Sequence, residues 1–144
     1  YILKKGIWRA YYMIDGTESS LWFAGTGEIG FSSWGYVNNE VSQVNIESVN
    51  ESIAYSIAKP DLEELFNSSI ELSNFGRKIF EQEILFIDSY TLVYGTPSAK
   101  ERYLTLMEEN PELLQYVPLK HLASYLYITP QSLSRIRAGL KRRK

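Results

Sequence analysis

The twenty residues Leu119-Lys120-His121-Leu122-Ala123-Ser124-Tyr125-Leu126-Tyr127-Ile128-Thr129-Pro130-Gln131-Ser132-Leu133-Ser134-Arg135-Ile136-Arg137-Ala138 decide how this chain is read. Counted from Leu119, positions four, eight, ten, fifteen and eighteen are Leu122, Leu126, Ile128, Leu133 and Ile136. These are the places where two helices joined by a tight turn pack on each other, and all five are apolar. Position five, where the helices cross, must be small, and it is Ala123. Thr129-Pro130 offers an N-cap and a first-turn proline for the second helix, and Gly139 offers a stop. The pattern is that of a helix-turn-helix. One position departs from it. The turn residue that is usually glycine is Tyr127, so a strained or differently shaped turn is expected.

A helical hairpin inside a core could share this spacing, but the charge around it points elsewhere. The whole chain of 144 residues has a net charge of −2. Residues 117–144 hold seven basic residues and no acidic one, a charge of +7, whereas residues 1–116 hold eight basic and seventeen acidic ones, a charge of −9. A basic end on an acidic chain suits a polyanion. With the second helix in a major groove, its early residues meet base edges. Gln131, Ser132 and Arg135 share a face by helical spacing, and Arg and Gln can bond guanine and adenine in bidentate fashion. Lys120, Thr129, Arg137 and Lys141 are placed for phosphates, which fix register without reading sequence. For Arg137 and Lys141 a solvated chain end reads equally well. His121 is read as a surface residue on an exposed helix face.

Upstream, residues 1–58 read as β structure. Ile7 to Ile14 is β-branched and aromatic, Asp15-Gly16 is a tight-turn pair, and Leu21-Trp22-Phe23-Ala24 returns, which together predict a hairpin. Gly25, Gly27, Gly30 and Gly35 crowd the next segment, either a surface turn or a ligand cradle. Two more short strands are expected between Val41 and Ala58. The character changes at Lys59-Pro60-Asp61, where proline and first-turn acids open a short helix. A long helix is expected over 70–94. Leu72, Phe75, Ile79, Phe86, Tyr90 and Val93 line one stripe, and Phe80, Ile84 and Ile87 a second. Two stripes fit a core helix of a monomer or a dimer seam, and the seam is the reading taken. Thr96-Pro97 is read as the start of the next helix, which ends near Asn110-Pro111. The boundaries read this way are 1–69 for a β-rich part with its short flanking helix, 70–94 for the long helix of the seam, and 95–144 for the helix-turn-helix part.

Several classes are excluded. There is no cysteine, hence no disulfide, thiolate metal site or cysteine nucleophile. No apolar run approaches the length of a membrane span, and the start is no signal peptide. The cytoplasm is the expected compartment. Glu28 with Ser32 and Ser33 has no histidine partner in the β region, so the chain is not read as an enzyme and no cofactor is expected.

The order of hairpin, Gly27-Glu28-Ile29-Gly30 loop, short helix, long helix and helix-turn-helix resembles the Crp/Fnr family of bacterial transcription regulators. The likeness is greatest to Bacteroidetes-type members, over Glu101-Arg102-Tyr103-Leu104, Asn110-Pro111-Glu112-Leu113-Leu114 and Ile128 to Arg137. The hairpin Arg9-Ala10-Tyr11-Tyr12 to Leu21-Trp22-Phe23 looks like the same family's sensor strands. The resemblance implies an α+β chain: a jelly-roll sensor, a dimerisation helix and a DNA-binding end, two copies of which would read two half-sites. It implies double-stranded DNA, a second copy of the chain, a small effector in the β-roll and RNA polymerase as partners. Three departures stand out. The sensor is expected to lack its first strands at Tyr1, and no β-wing is evident after the recognition helix. In cyclic-nucleotide-binding members a Glu like Glu28 accepts the ribose hydroxyl, and an Arg-Ser or Arg-Thr pair takes the phosphate. Here no Arg or Lys lies between Phe31 and Ile57, and the nearest equivalents are Ser42 and Gln43. A buried phosphate without a cation is costly, so cAMP is not the expected effector. The rival reading is a ligand-binding or protein-interaction module with no DNA role, its basic tail serving solubility.

Overall fold

The computed structural model describes the backbone of residues 1–95 and 98–141, and the side chains of 1–89 and 98–141. It is an α+β chain, as the sequence pattern predicts. Among the described residues five strands are followed by six helices: β1 Ile2–Lys5, β2 Trp8–Ile14, β3 Thr17–Ala24, β4 Asn45–Ser48, β5 Ile53–Tyr55, then α1 Lys59–Ser68, α2 Ile70–Gly95, α3 Ala99–Glu109, α4 Leu113–Tyr116, α5 Leu119–Tyr125 and α6 Pro130–Lys141. A single wide helical turn, Trp34–Asn38, interrupts the run between β3 and β4.

All strand pairs are antiparallel. One sheet has the order β3-β2-β4 and the other pairs β1 with β5. The hairpin forms at Asp15-Gly16, where both residues take positive φ, 47° and 76°, as the mirror-image turn of a right-twisted hairpin requires. Its register runs from Trp8 opposite Ala24 to Ile14 opposite Thr17, with one irregularity at Ala10/Tyr11. That irregularity lies beside Ser20, whose side chain is buried.

The chain groups into two compact units, residues 1–55 with 98–144, and residues 56–97. The sequence pattern places boundaries after residues 69 and 94. The β strands and the helix-turn-helix belong to one unit because β3 packs on α5: Phe23 meets Tyr125 edge to face, with ring centroids 5.2 Å apart. The buried apolar residues of this unit include Leu3, Ile7, Ala10 and Ala24 among the strands, and Tyr103, Leu106, Leu113, Val117, Leu122, Ala123, Tyr125, Leu126 and Leu133 among the helices.

The other unit is the helical pair α1 and α2. Pro60 sits in the first turn of α1, as expected. The ring of Phe66 lies on Gly76 of α2, where a Cβ would come within 2.5 Å of it, and the Ser73 hydroxyl donates to the Phe66 carbonyl. On α2, Leu72, Ile79 and Phe80 are half-buried, while Phe75, Ile84, Leu85, Phe86 and Ile87 are exposed. The side chains of Tyr90 and Val93 lie outside the described residues.

Two helix ends differ from the sequence reading. Thr96 and Pro97 lie outside the described residues, and α3 is capped by Ser98. Its hydroxyl accepts from the Glu101 N–H at 3.3 Å, and the Glu101 carboxylate accepts from the Ser98 N–H at 2.8 Å. This reciprocal box satisfies two helix-end donors at once, and it holds the Glu101 carboxyl below its usual range. The stop expected at Gly139 is also absent, since α6 continues to Lys141. An exposed glycine costs a helix only about 1 kcal/mol, too little to end it when Leu140 still packs half-buried beyond it.

Candidate nucleic-acid interface

The helix-turn-helix is built as its spacing implies. Leu122, Leu126 and Leu133 are buried to within 1% of full burial, and Ala123 is fully buried at the crossing. Ile128 and Ile136 are half-buried. Thr129 caps α6: its Oγ1 accepts from the Ser132 N–H at 3.2 Å and lies 3.0 Å from the Ser132 hydroxyl. The turn is braced from outside by Arg102 of α3, whose Nε–H donates to the Leu126 carbonyl at 3.1 Å.

Tyr127 takes φ 54°, the left-handed conformation that the pattern normally gives to glycine. The backbone accepts it because the Tyr127 N–H bonds the Ser124 carbonyl and the Ile128 N–H bonds the Ala123 carbonyl, both at 3.0 Å. A Cβ in this region costs about 1–2 kcal/mol. Tyr127→Gly is expected to raise stability by about 0.5–1 kcal/mol, part of the relief being offset by the greater freedom of glycine when unfolded. Urea unfolding followed by far-ultraviolet circular dichroism checks this; a lower midpoint would show that the half-exposed ring contributes more than the strain costs.

On α6 the candidate base-reading residues Gln131 and Arg135 are exposed, and Ser132 is half-buried and engaged with the cap. Lys120 and Lys141 are exposed, Thr129 is exposed at the cap, and Arg137 is half-buried. Residues 142–144 of the basic end lie outside the described residues.

His121 is not the surface residue expected from its helix face. Its side chain is 12% exposed, with Nδ1 3.7 Å from Glu18 Oε2 of β3. Burial lowers its proton affinity below the usual histidine value, with Arg9 and Lys120 adding to the effect. Glu18 moves the other way in charge terms: its hydrogen bond from Arg9 holds its carboxyl below the usual range. Arg9 itself is fully buried, an assignment nothing in the sequence pattern demanded.

The Gly27-Glu28-Ile29-Gly30 stretch is strapped to β1 by its backbone. Gly27 N–H donates to Leu3 O at 2.8 Å, Leu3 N–H to Glu28 O at 3.0 Å, and Gly30 N–H to Tyr1 O at 3.1 Å. Glu28 turns back on its own loop and accepts from the Gly25 N–H at 2.6 Å. A cleft of about 210 Å³ beside it is lined by Ile7, Phe23, Gly25, Glu28 and the Glu109–Leu113 connection. Its charged lining is three carboxylates, Glu28, Glu109 and Glu112, which suits a phosphate poorly. Ser42, named as a phosphate-side equivalent, hydrogen-bonds locally with the N–H and carbonyl of Val44. No group of three or more His, Asp or Glu side chains placed to hold a metal occurs among the described residues, nor does a helix long and apolar enough to cross a membrane.

The chain is similar over 99% of its length to the solved structure of FixK2 from Bradyrhizobium japonicum, with a TM-score of 0.79 and 18% identity, covering 74% of that chain. It also matches the catabolite activator protein of Thermus thermophilus at a TM-score of 0.44 and 16% identity, covering 99% of this chain and 68% of that one. No protein-family model and no curated protein matches it. The likeness to FixK2 establishes a shared fold.

Proposed function

We propose that the chain is a homodimeric, DNA-binding transcription regulator of Crp/Fnr type rather than an enzyme. The observation that carries the reading is the capped helix α6, which presents Gln131 and Arg135 to solvent at the basic end of the chain. The shared fold with FixK2 supports it. The exposed apolar residues of α2, between 48% and 64% accessible at Phe75, Ile84, Leu85, Phe86 and Ile87, support dimerisation through that helix. An effector, if the β-roll takes one, would enter an acidic cleft, so cAMP is not the ligand proposed. Its action would fall on the Tyr94-Gly95-Thr96 segment, by binding the two arrangements of the reading helices with different affinity.

Selection of duplexes from random sequence, followed by affinity measurements at several salt concentrations, tests the reading. A regulator enriches a two-half-site sequence, and its affinity falls with salt as phosphate-bound counterions are released. Arg135→Ala is expected to relax base choice at one position in each half-site, by about 1–2 kcal/mol, with a smaller change at other positions. Absence of salt-dependent binding to any duplex would leave the interaction-module reading in its place.

A further inference from the structure

The contact between β3 and α5 joins the sensor strands to the first helix of the DNA-reading pair, and its centre is polar. The Ser20 N–H donates to Ser124 Oγ at 3.1 Å, and the two hydroxyls lie 2.9 Å apart. Ser124 Oγ also donates to the His121 carbonyl at 2.9 Å, within its own helix. Behind Ser20 stands Arg9, whose Nε–H donates to Ser20 Oγ at 2.8 Å. Its Nη1 bonds Glu18 at 2.9 Å and Glu47 at 2.8 Å, and the guanidinium lies over the Tyr11 ring at 4.4 Å. The charge of Arg9 is thereby neutralised on the sheet side, and its orientation is fixed from three strands, β2, β3 and β4.

We infer that Ser20 and Ser124, backed by Arg9, are positioning residues for DNA recognition: the β2–β3 hairpin holds α5, and through it α6, at a set orientation. This rests on the regulator reading above. Hydrogen bonds are directional, so a serine pair at the seam fixes the angle of α5 where an apolar contact would allow sliding. The orientation passes to α6 because α5 and α6 share the buried residues Leu122, Ala123, Leu126 and Leu133. In a dimer, the second half-site is captured as an intramolecular event, and its yield depends on both reading helices being held at the right separation. A single half-site makes no such demand. The seam therefore acts on the pairing of two sites rather than on base contacts, by a route separate from the segment that joins α2 to α3.

The test compares Ser124→Ala with the wild-type dimer on two duplexes, one with both half-sites of the selected sequence and one with a single half-site. The variant is expected to bind the two-half-site duplex about five- to tenfold more weakly, the value of one or two neutral hydrogen bonds, with single-site affinity nearly unchanged and the thermal midpoint lowered by the few degrees that the same bonds are worth to the fold. An unchanged ratio of the two affinities, or tighter binding to the double site, overturns the inference. Amide hydrogen exchange in the wild type keeps the test independent of the variant's folding. The Ser20 amide should stay protected when the two-half-site duplex binds, and loss of that protection would show that the seam is open in the complex. A wild type that binds neither duplex takes down the regulator reading itself, an outcome distinct from a wild type that binds and a variant that matches it.

Discussion

Arg9→Met is expected to destabilise the unit formed by residues 1–55 and 98–144 by about 2–3 kcal/mol in urea unfolding at neutral pH. The guanidinium is completely buried and meets Ser20, Glu18 and Glu47, so its loss removes three hydrogen bonds and leaves two carboxylates facing one site. The figure sits below the usual cost of breaking a buried pair because Glu18 and Glu47 are each about two-fifths exposed and can regain water. Arginine carries a cost of its own: its Nη2, like the Trp8 indole nitrogen, finds no hydrogen-bond partner among the described residues. Methionine of similar length removes that unmet group, which also holds the loss down.

The same substitution changes the pH dependence. Arg9 depresses the Glu18 carboxyl, and a depressed carboxyl stabilises the fold above its ordinary value and loses that contribution as pH falls through the depressed one. His121, held neutral by burial, also erodes stability as pH falls below the ordinary histidine range. Wild-type stability should thus decline on acidification in two stages, the histidine stage first. In Arg9→Met the carboxylate stage should shrink, because Glu18 returns toward its ordinary value. Unfolding midpoints measured from pH 7 to pH 3 check this; an acid limb identical to that of the wild type would mean that Arg9 does not govern Glu18.

Phe86→Glu is expected to convert the proposed dimer to monomers. In a two-fold interface each substitution occurs twice, so two carboxylates enter one apolar seam. Burying them unpaired costs several kcal/mol, which weakens association by at least about a hundredfold. Phe86 lies on α2 beside the exposed Ile84, Leu85 and Ile87, and in this chain it is 48% exposed, so the monomer's own fold should tolerate the change. Sedimentation equilibrium of wild type and variant at equal concentration gives the answer. A variant that remains dimeric would move the seam off this face of α2.

The helix-turn-helix was legible because its requirements are local and redundant. Leu122, Leu126 and Leu133 must be apolar, Ala123 must be small, and Thr129-Pro130 must start a helix, all within a few turns of chain. The Asp15-Gly16 hairpin was legible for the same reason. Tyr127 shows that a backbone requirement can persist when its usual residue does not: the turn keeps a positive φ and bears the strain. The true cap of α3 was hidden by a stronger local lure, since Thr96-Pro97 looks like a helix start and Ser98 needs Glu101 to reveal itself. Ser20 and Ser124 are 104 positions apart, and serine alone carries no periodic signal. The helical spacing puts His121 on a solvent face, because nothing within one helix reveals that β3 covers it. Arg9 was invisible for the same reason. A charged residue within an aromatic strand gives no sign of being fully buried.

In the role proposed for α6, the tasks of capping, packing and reading fall to different side chains. Thr129 and Ser132 close the helix end, Leu133 and Ile136 face α5, and Gln131 and Arg135 face outward. That division makes the helix editable. Residues 131 and 135 can be exchanged for other polar side chains with the cap and the buried face untouched, so a change of preferred DNA sequence need not be accompanied by a change in folding stability. A lineage of such chains could drift among binding sites by two substitutions at a time, its scaffold unaltered.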